Sequence, residues 1–366
     1  MDFAFSSEQD EFRTSLRRFL SDKSPLSQVR ASSATELGYD VALWRQMSDQ
    51  LGLPGLHLPE ELGGSGTGLL EPAVVLEETG RALTSSPYTA GLLASLAVLR
   101  LGSEQVQQDL LPGIAIGETV ATLAMTELAS PTGASGLQTT ASSRGDGVTL
   151  TGTKLLVEHG HSADVLLVSA TYEGEAALYV VQGDAPGLTR TRQNALDLTR
   201  PVAEVRLEGT PAVPLGQPGG LEGLVDLACA LLASEMVGGI EACLAMATAY
   251  AKTRLQFNRP IGSFQAVKHR LAEMVVGLDG ARAAAMYAVH VADAGGCELE
   301  SVAPLAKAEA SDAYTFAAGW NIQLLGGIGF TWEQDAHLYF RRAWTDSALY
   351  GSPAAQRARL ADRIGL

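Results

Sequence analysis

The sequence is poor in cysteine and in basic residues. Its 366 residues contain three cysteines, Cys229, Cys243 and Cys297, and no CxxC spacing. Three such cysteines cannot form a disulfide framework for a chain of this length, which favours a reducing, cytoplasmic location. Only 26 Lys and Arg face 41 Asp and Glu, for a formal net charge of −15. Because such a surface repels a polyanion, the composition argues against a nucleic-acid partner.

Several motifs with a known chemistry are also missing. No run reaches about 18 uninterrupted apolar residues, so no membrane span is expected, and the first residues show no secretory signal pattern. The chain lacks the GxxxxGK[ST] phosphate loop and the GxSxG elbow of serine hydrolases. His159 and His161 have no acidic or cysteine neighbours in a ligand spacing, so we predict a surface turn there and no metal site.

What the sequence does contain is enough apolar material for full cores, with 46% hydrophobic residues. Its texture changes twice along the chain, and we predict three domains: helical over 1–118, β over 119–216 and a helix bundle over 217–366. The predicted fold class is therefore α+β, mainly α. Short aliphatic runs at 148–151, 165–168 and 177–181 indicate strands, and longer periodic runs predict helices at 41–51, 221–253, 264–294 and 299–325.

The most informative stretch is RLQFNRPIGSFQAVKHRLAEM at 254–274. A helix end, a Pro-Gly turn and a new amphipathic helix would explain its turn. They do not explain why Arg254, Phe257 and Gln265 cluster around it. An arginine offers a fork for a pyrophosphate, a phenylalanine offers a stacking face, and a glutamine offers an amide for a carbonyl-rich ring.

This stretch resembles the RxxFGRPIGxFQxxxHxLAxM motif of the acyl-CoA dehydrogenase family, with Asn258 where the family usually has glycine. Two further segments are similar to that family: QLLGGIGF at 323–330 resembles its QxxGGxGY segment, and LPEELGGSG at 58–66 resembles its PEExGGxG loop. The resemblance extends over nearly the whole chain in the right order. It implies the acyl-CoA dehydrogenase fold, with an N-terminal helical domain, a central β domain and a C-terminal bundle that forms the oligomer core.

The resemblance implies FAD as cofactor, bound at a subunit interface. Arg254 and Phe257 would contact the pyrophosphate and adenine side of an FAD held mainly by a neighbouring subunit, and Gln265 would reach the cofactor or brace the turn. The same family pattern gives further cofactor contacts in two other segments. Gln323, Gly326 and Gly327 would approach the same dinucleotide, and Met125 and Thr126 match the segment whose threonine and amides face the isoalloxazine ring.

The family also needs a carboxylate base that removes the α-proton of an acyl-CoA thioester, and this chain departs from the pattern there. Most members carry a glutamate where this sequence has Tyr350, and a minority carry it at the position of Ala228. The tryptophan and threonine that lie beside the flavin in the β domain are also replaced, by Leu156 and Glu158. Neither usual base position thus holds a carboxylate.

Two interpretations follow. In the first, the base has moved to Glu235, which lies seven residues after Ala228 on the same helix face; alternatively, Glu235 is a buried structural partner of an arginine or of a helix end. In the second, the chain is the base-lacking subunit of a heteromeric enzyme, like those of some actinobacterial acyl-CoA dehydrogenases that act on steroid side chains. A self-assembled flavoenzyme with a different reaction on an acyl thioester and a non-catalytic scaffold are further alternatives. An electron-transfer flavoprotein would be the electron acceptor by family resemblance.

Overall fold

The computed structural model describes residues 6–145 and 147–366. Six helices come first, then a β domain, then a bundle built on three long helices. The helices before the sheet are α1 Ser7–Lys23, α2 Leu26–Ser33, α3 Val41–Arg45, α4 Leu70–Ala82, α5 Tyr88–Leu101 and α6 Glu104–Ala115. The helices after it are α7 Leu221–Thr253, α8 Gln265–Asp293, α9 Leu299–Leu325, α10 Ala336–Ala348 and α11 Pro353–Ile364.

The β domain is one seven-stranded sheet in the order β1-β4-β2-β3-β7-β5, with β6 paired to β7 and β4 also paired to β5. Its strands are β1 Ala121–Ala124, β2 Thr140–Arg144, β3 Gly147–Glu158, β4 Val165–Tyr172, β5 Glu175–Gln182, β6 Leu188–Arg192 and β7 Val202–Pro214. Strands β1 and β4 are parallel, and β3 and β7 are antiparallel. The aliphatic residues of the inner face, such as Leu150, Leu166 and Val205, are buried together and form this domain's own core.

The predicted fold class is confirmed by this architecture, and the sequence predicted the long helices well. The predicted bounds of α7 and α9 are those observed, because both segments are alanine-rich and mostly apolar. Helix α7 is long and apolar enough to cross a membrane, but 83% of its most apolar window is buried inside the protein, as in a core helix. The predicted domain boundaries fall in the connections between α6 and β1 and between β7 and α7, and stay a prediction.

The prediction of one α-helix over 41–51 is wrong in its second half. Asp40 caps α3 by accepting hydrogen bonds from the backbone N–H groups of Ala42 and Leu43. The helix then widens into a π-turn over Gln46–Gln50 before Gly52. Apolar periodicity does not distinguish these two windings, because both keep Leu43 and Met47 on the buried side.

Between α7 and α8 the chain forms a small hairpin. Strands β8 Leu255–Gln256 and β9 Arg259–Pro260 pair in antiparallel register. The two turn residues, Phe257 and Asn258, have φ of 51° and 60°. A two-residue turn of this kind needs positive φ at both positions, and asparagine tolerates it better than most residues. The departure from the family's glycine at Asn258 is therefore compatible with the turn.

Candidate functional site

A cleft lies between the sheet and the helices α5 and α7. A bulge interrupts the pairing of β3 with β7 between Lys154 and Val157, and Leu156 there has a φ of 54°. Bulges of this kind re-aim side chains beside active sites. Glu158 is the only carboxylate among the residues that line the cleft. The lining residues are Thr89, Ala90, Leu93, Thr122, Leu123, Met125, Thr126, Leu155, Leu156, Glu158, Arg200, Leu232, Leu349 and Tyr350.

Six charged residues, two of which line the cleft, form what we call the ionic cluster: Glu158, Asp197, Arg200, Glu235, Arg342 and Asp346. Three belong to the β domain and three to the bundle, so the cluster joins the two domains. Arg200, which is 2% exposed, donates to Glu158 at 2.6 Å through Nη1 and to Glu235 through Nη2. The same Nη2 lies 3.3 Å from Oδ1 of Asp346.

Arg342 on α10 is the second cation of the ionic cluster. Its Nε donates to Asp197 at 2.7 Å, its Nη1 to Glu235 at 2.5 Å and its Nη2 to the hydroxyl oxygen of Thr199 at 2.6 Å. Asp197 also accepts hydrogen bonds from the backbone N–H and the hydroxyl group of Thr199. The planar guanidinium group of Arg342 on α10 thus binds the turn of the β domain that contains Asp197 and Thr199.

Burial dominates the electrostatics of the ionic cluster. It raises the pKa of Glu158, and the arginines only partly oppose it. Burial also raises the pKa of Asp346 to about 8, with Arg200 opposing and Glu235 adding to the increase. For Arg200 itself, burial lowers the pKa, but Glu158 and Glu235 outweigh burial and hold it well above the usual value. The arginines therefore stay charged.

The contacts of Glu235 match its structural alternative. Its carboxylate accepts hydrogen bonds from Arg200 and Arg342, and it is 3% exposed. A base must face the α-carbon of its substrate, whereas Glu235 faces two guanidinium groups and is not among the lining residues of the cleft. Its partners come from chain positions 35 and 107 residues away.

Tyr350 lies in the cleft on a turn that is fixed from several sides. Its φ is 54°, and Gln356 donates to its backbone oxygen at 2.5 Å. The buried Lys307 ammonium lies 3.3 Å from the carbonyl oxygen of Ser347 and 3.5 Å from that of Gly351. The turn is therefore well built, but it carries a phenol where the family carries a carboxylate. Ala228 is fully buried in α7.

The predicted flavin contacts of the β domain, Met125 and Thr126, both line the cleft. A buried ion pair behind them fixes their strand end. Lys154 donates to Glu127 at 2.6 Å and to the backbone oxygen of Met125 at 3.2 Å. Burial lowers the pKa of Lys154 to about 8, while the Glu127 partner acts in the opposite direction.

The other predicted cofactor residues lie outside the cleft and are exposed. Arg254 is exposed, and Phe257 at the hairpin tip is 87% exposed. Next to the tip, the Arg259 guanidinium lies over the Phe264 ring at 4.0 Å from its centroid. The remaining predicted contacts, Gln265, Gln323, Gly326 and Gly327, are exposed as well. These exposed residues are available to another molecule.

Sequence reasoning missed most of the ionic cluster. Asp197 and Arg200 lie in one turn of the β domain and Arg342 and Asp346 in one helix of the bundle, and no local spacing connects the first pair to the second. The one available signal was the Asp-x-Thr order at 197–199, which favours a side-chain-capped turn. The predicted surface turn is also wrong for His159. That ring is fully buried, lies 3.2 Å from the backbone oxygen of Ser86, and has its pKa lowered by burial to about 3.

Comparison with known proteins identifies the family. The family model "Acyl-CoA dehydrogenase, N-terminal domain" matches residues 6–118, and the model "Acyl-CoA dehydrogenase, C-terminal domain" matches residues 225–365. The chain belongs to the acyl-CoA dehydrogenase family. It is 37% identical to acyl-CoA dehydrogenase IpdE2 of Mycobacterium tuberculosis over 345 residues, which cover 92% of this chain and 91% of that protein.

Two solved structures are similar over almost their full length. A variant of the Tcur3481-Tcur3483 steroid ACAD has a TM-score of 0.92 and 34% identity, covering 98% of both chains. The ChsE4-ChsE5 complex from Mycobacterium tuberculosis has a TM-score of 0.92 and 28% identity, covering 100% of this chain and 99% of that one. Acyl-CoA dehydrogenases are oxidoreductases, and their cofactor is FAD.

In this acyl-CoA dehydrogenase, the residues of the exposed hairpin fit the FAD cofactor, and the residues of the cleft do not. In its own cleft, the Glu158 carboxylate, whose side chain is 16% exposed, is tied to the buried Arg200 beside the strand end that faces the ring in the family. A flavin ring inserted there would have to face a largely buried ion pair, which is costly to disturb. The exposed hairpin with Arg254 and Phe257 does fit, because a free guanidinium and a free ring suit a pyrophosphate and an adenine.

Proposed function

We propose that this chain is one subunit of a hetero-oligomeric acyl-CoA dehydrogenase, and that its partner supplies both the flavin-facing β domain and the catalytic base. The complex oxidises the α,β bond of an acyl-CoA thioester with FAD as acceptor. In this proposal, Arg254 and Phe257 of the hairpin contact the partner's FAD. Gln323, Gly326 and Gly327 contact the same FAD.

The observation that carries the proposal is the contrast between the two halves of the flavin motif. The half that would contact a neighbouring subunit's FAD, with Arg254 and Phe257, is complete and exposed, and Phe257 at the hairpin tip is 87% exposed. The half that would contact an FAD in this chain's own β domain has Leu156 and Glu158 in place of the family's tryptophan and threonine, and Glu158 accepts a hydrogen bond from Arg200 at 2.6 Å. The base turn carries Tyr350. A chain that keeps only the residues for a neighbouring subunit's FAD can help to bind that FAD but cannot bind one in its own β domain.

Two similar structures support a partner of the same fold, because their names join two different chains, ChsE4-ChsE5 and Tcur3481-Tcur3483. The second is called a steroid ACAD, which supports a CoA thioester with a steroid-type acyl group as the substrate class. An electron-transfer flavoprotein is proposed as the electron acceptor of the complex by family resemblance. A self-assembled flavoenzyme and a purely structural subunit are the alternatives that the experiments below separate.

Flavin content tests the proposal directly. The chain purified alone is expected to be colourless, and co-expression with a base-bearing acyl-CoA dehydrogenase chain from a neighbouring gene is expected to give a yellow complex that acyl-CoA bleaches. The double substitution Arg254→Ala with Phe257→Ala in this chain is expected to weaken FAD binding by the complex tenfold or more, since a charge-assisted contact is worth about 1.5–3 kcal/mol. Flavin absorbance after dialysis measures both.

Arg206→Ala is the matched control, because Arg206 is 61% exposed and pairs only with a neighbouring glutamate on its own strand. It is expected to leave flavin content unchanged. A yellow protein from this chain alone, reduced by acyl-CoA, would contradict the partner-subunit proposal. A colourless complex that stays inactive with its partner would favour the structural-subunit alternative.

A second experiment addresses Glu235. Glu235→Gln keeps an oxygen that accepts hydrogen bonds from both arginines but cannot act as a base. The turnover number of the complex is expected to stay within about threefold of the wild type, whereas loss of a general base costs roughly 10²–10⁴-fold. Steady-state kinetics at saturating acyl-CoA measures it, with a thermal melt to verify folding. A hundredfold loss in a folded complex would instead make Glu235 the relocated base.

A further inference from the structure

The ionic cluster contains more negative than positive groups. Its two guanidinium groups, Arg200 and Arg342, face four carboxylates, and all of these cluster residues are buried or nearly so. A further basic residue, Lys307 on α9, is fully buried; burial lowers its pKa and Asp346 opposes this, so it adds at most one positive charge. Three cations and four carboxylates leave one negative charge in excess. Buried uncompensated charge is very unfavourable, so one carboxylate has reason to carry a proton.

Asp346 is the carboxylate that best fits this requirement. It is fully buried on α10, and neither of its oxygens has a hydrogen-bond partner among the residues that the structure describes. Oε2 of Glu235 is also buried without a partner. Both carboxylates approach the same Nη2 of Arg200. A proton on Asp346 removes the excess charge and turns one of its two unpartnered oxygens into a donor.

The other ionisable groups around Asp346 do not remove the excess. Tyr314 on α9 is buried and neutral, since burial holds its pKa well above the usual value. Tyr350 in the adjoining turn is neutral for the same reason. His159, after β3, is also neutral, because burial lowers its pKa to about 3. Asp197 and Glu158 are each bound to a guanidinium group.

We propose that Asp346 is protonated in the folded chain at neutral pH and that this proton holds the β domain against the helix bundle, so that the joint between them loosens as pH rises. The joint is the contact of the β-domain turn at 197–200 with Glu235 on α7 and with Arg342 on α10. This is a property of the chain itself, independent of whether it serves a flavin-bearing partner.

The sign follows from the change in proton affinity. Burial raises the pKa of Asp346 from 3.8 to about 8 in the closed joint, and an opened, hydrated joint returns it towards 3.8. The closed form therefore binds the proton more tightly. Its advantage is complete at low pH and declines by up to tenfold in the opening equilibrium for each pH unit between about 4 and 8, then levels off.

Hydrogen exchange of the full-length chain tests the proposal. Protection factors, which correct for base catalysis of exchange, are followed for the amide of Thr199, which donates to Asp197, and the amide of His159, which donates to the backbone oxygen of Pro201. Between pH 6 and 8 both factors are expected to fall by at least tenfold. In Asp346→Asn, which mimics the protonated side chain, they are expected to change less than twofold.

Asp312→Asn is the matched control, since Asp312 is 53% exposed and pairs with Arg357 at the surface, and it is expected to keep the wild-type pH dependence. Glu235→Gln removes a carboxylate beside Asp346 and is expected to move the steep range to lower pH. Infrared spectroscopy of the wild type provides a reading if Asp346→Asn does not fold, because the stretch of a protonated carboxyl group present at pH 6 is expected to disappear by pH 9.5. Protection factors that are independent of pH, or a wild-type pH dependence in Asp346→Asn, would overturn the proposal, as would the absence of that infrared change.

Discussion

Gly238→Ala is expected to destabilise this chain by about 3 kcal/mol or more, at the upper end of the cost of overpacking a core. Gly238 lies inside α7 where that helix crosses α4. A Cβ at this position would be 1.8 Å from the backbone oxygen of Glu77 and 2.7 Å from the backbone nitrogen of Arg81. Both contacts are with backbone of α4, so no side chain can rotate away, and the two helices would have to separate.

The same crossing is tight from the other side, because a Cβ at Gly80 would be 2.2 Å from the backbone oxygen of Glu235. Separation of the helices would thus also disturb Glu235 in the ionic cluster. The measurement is the denaturant midpoint of unfolding, supported by the yield of soluble chain.

Gly223→Ala in the same helix is the control. In the described part of the chain no atom lies within 4 Å of a Cβ at Gly223, and the position is exposed near the start of α7. Alanine in an exposed helical position is expected to stabilise by about 0.5–1 kcal/mol relative to glycine. If Gly238→Ala had the same small effect as Gly223→Ala, the close crossing of α4 and α7 described here would be wrong.

Arg342→Met is expected to cost about 3–5 kcal/mol, the range for removing one partner of a buried ion pair. It leaves Asp197 without a cation, removes one of the two partners of Glu235, and takes a donor from the hydroxyl oxygen of Thr199. The excess negative charge of the ionic cluster would grow by one. The change is therefore expected to be more harmful at pH 8 than at pH 6.

Arg357→Met provides the comparison at the surface. Arg357 and its partner Asp312 are each 53% exposed, and exposed pairs contribute about 0–1 kcal/mol. Arg342→Lys should lie between the wild type and the methionine variant, because it restores the charge without the planar fork that reaches three acceptors. Equal midpoints for Arg342→Met and the wild type would show that the cluster contributes no net stability.

The family motifs and the long helices could be predicted because each depends on residues that are close together in the sequence. Helix α7 is a mostly apolar, alanine-rich segment, and its observed bounds, Leu221–Thr253, follow from that segment and from the glycine before it. The hairpin with Arg254 and Phe257 is likewise contained in one short segment. The sequence also showed Tyr350 at the position where most family members carry a glutamate, because that position lies in a short segment that can be compared residue by residue.

The tertiary structure decided which side chains surround Glu235 and which residues line the cleft. The sequence determined the fold class and the family, since these depend on residues close together along the chain. It did not determine that Glu235 faces Arg200 and Arg342, which lie 35 and 107 positions away, or that Asp346 is buried beside them. Charges so far apart along the chain acquire their partners only when the β domain packs against the bundle, because only burial removes the water that would otherwise separate and screen them.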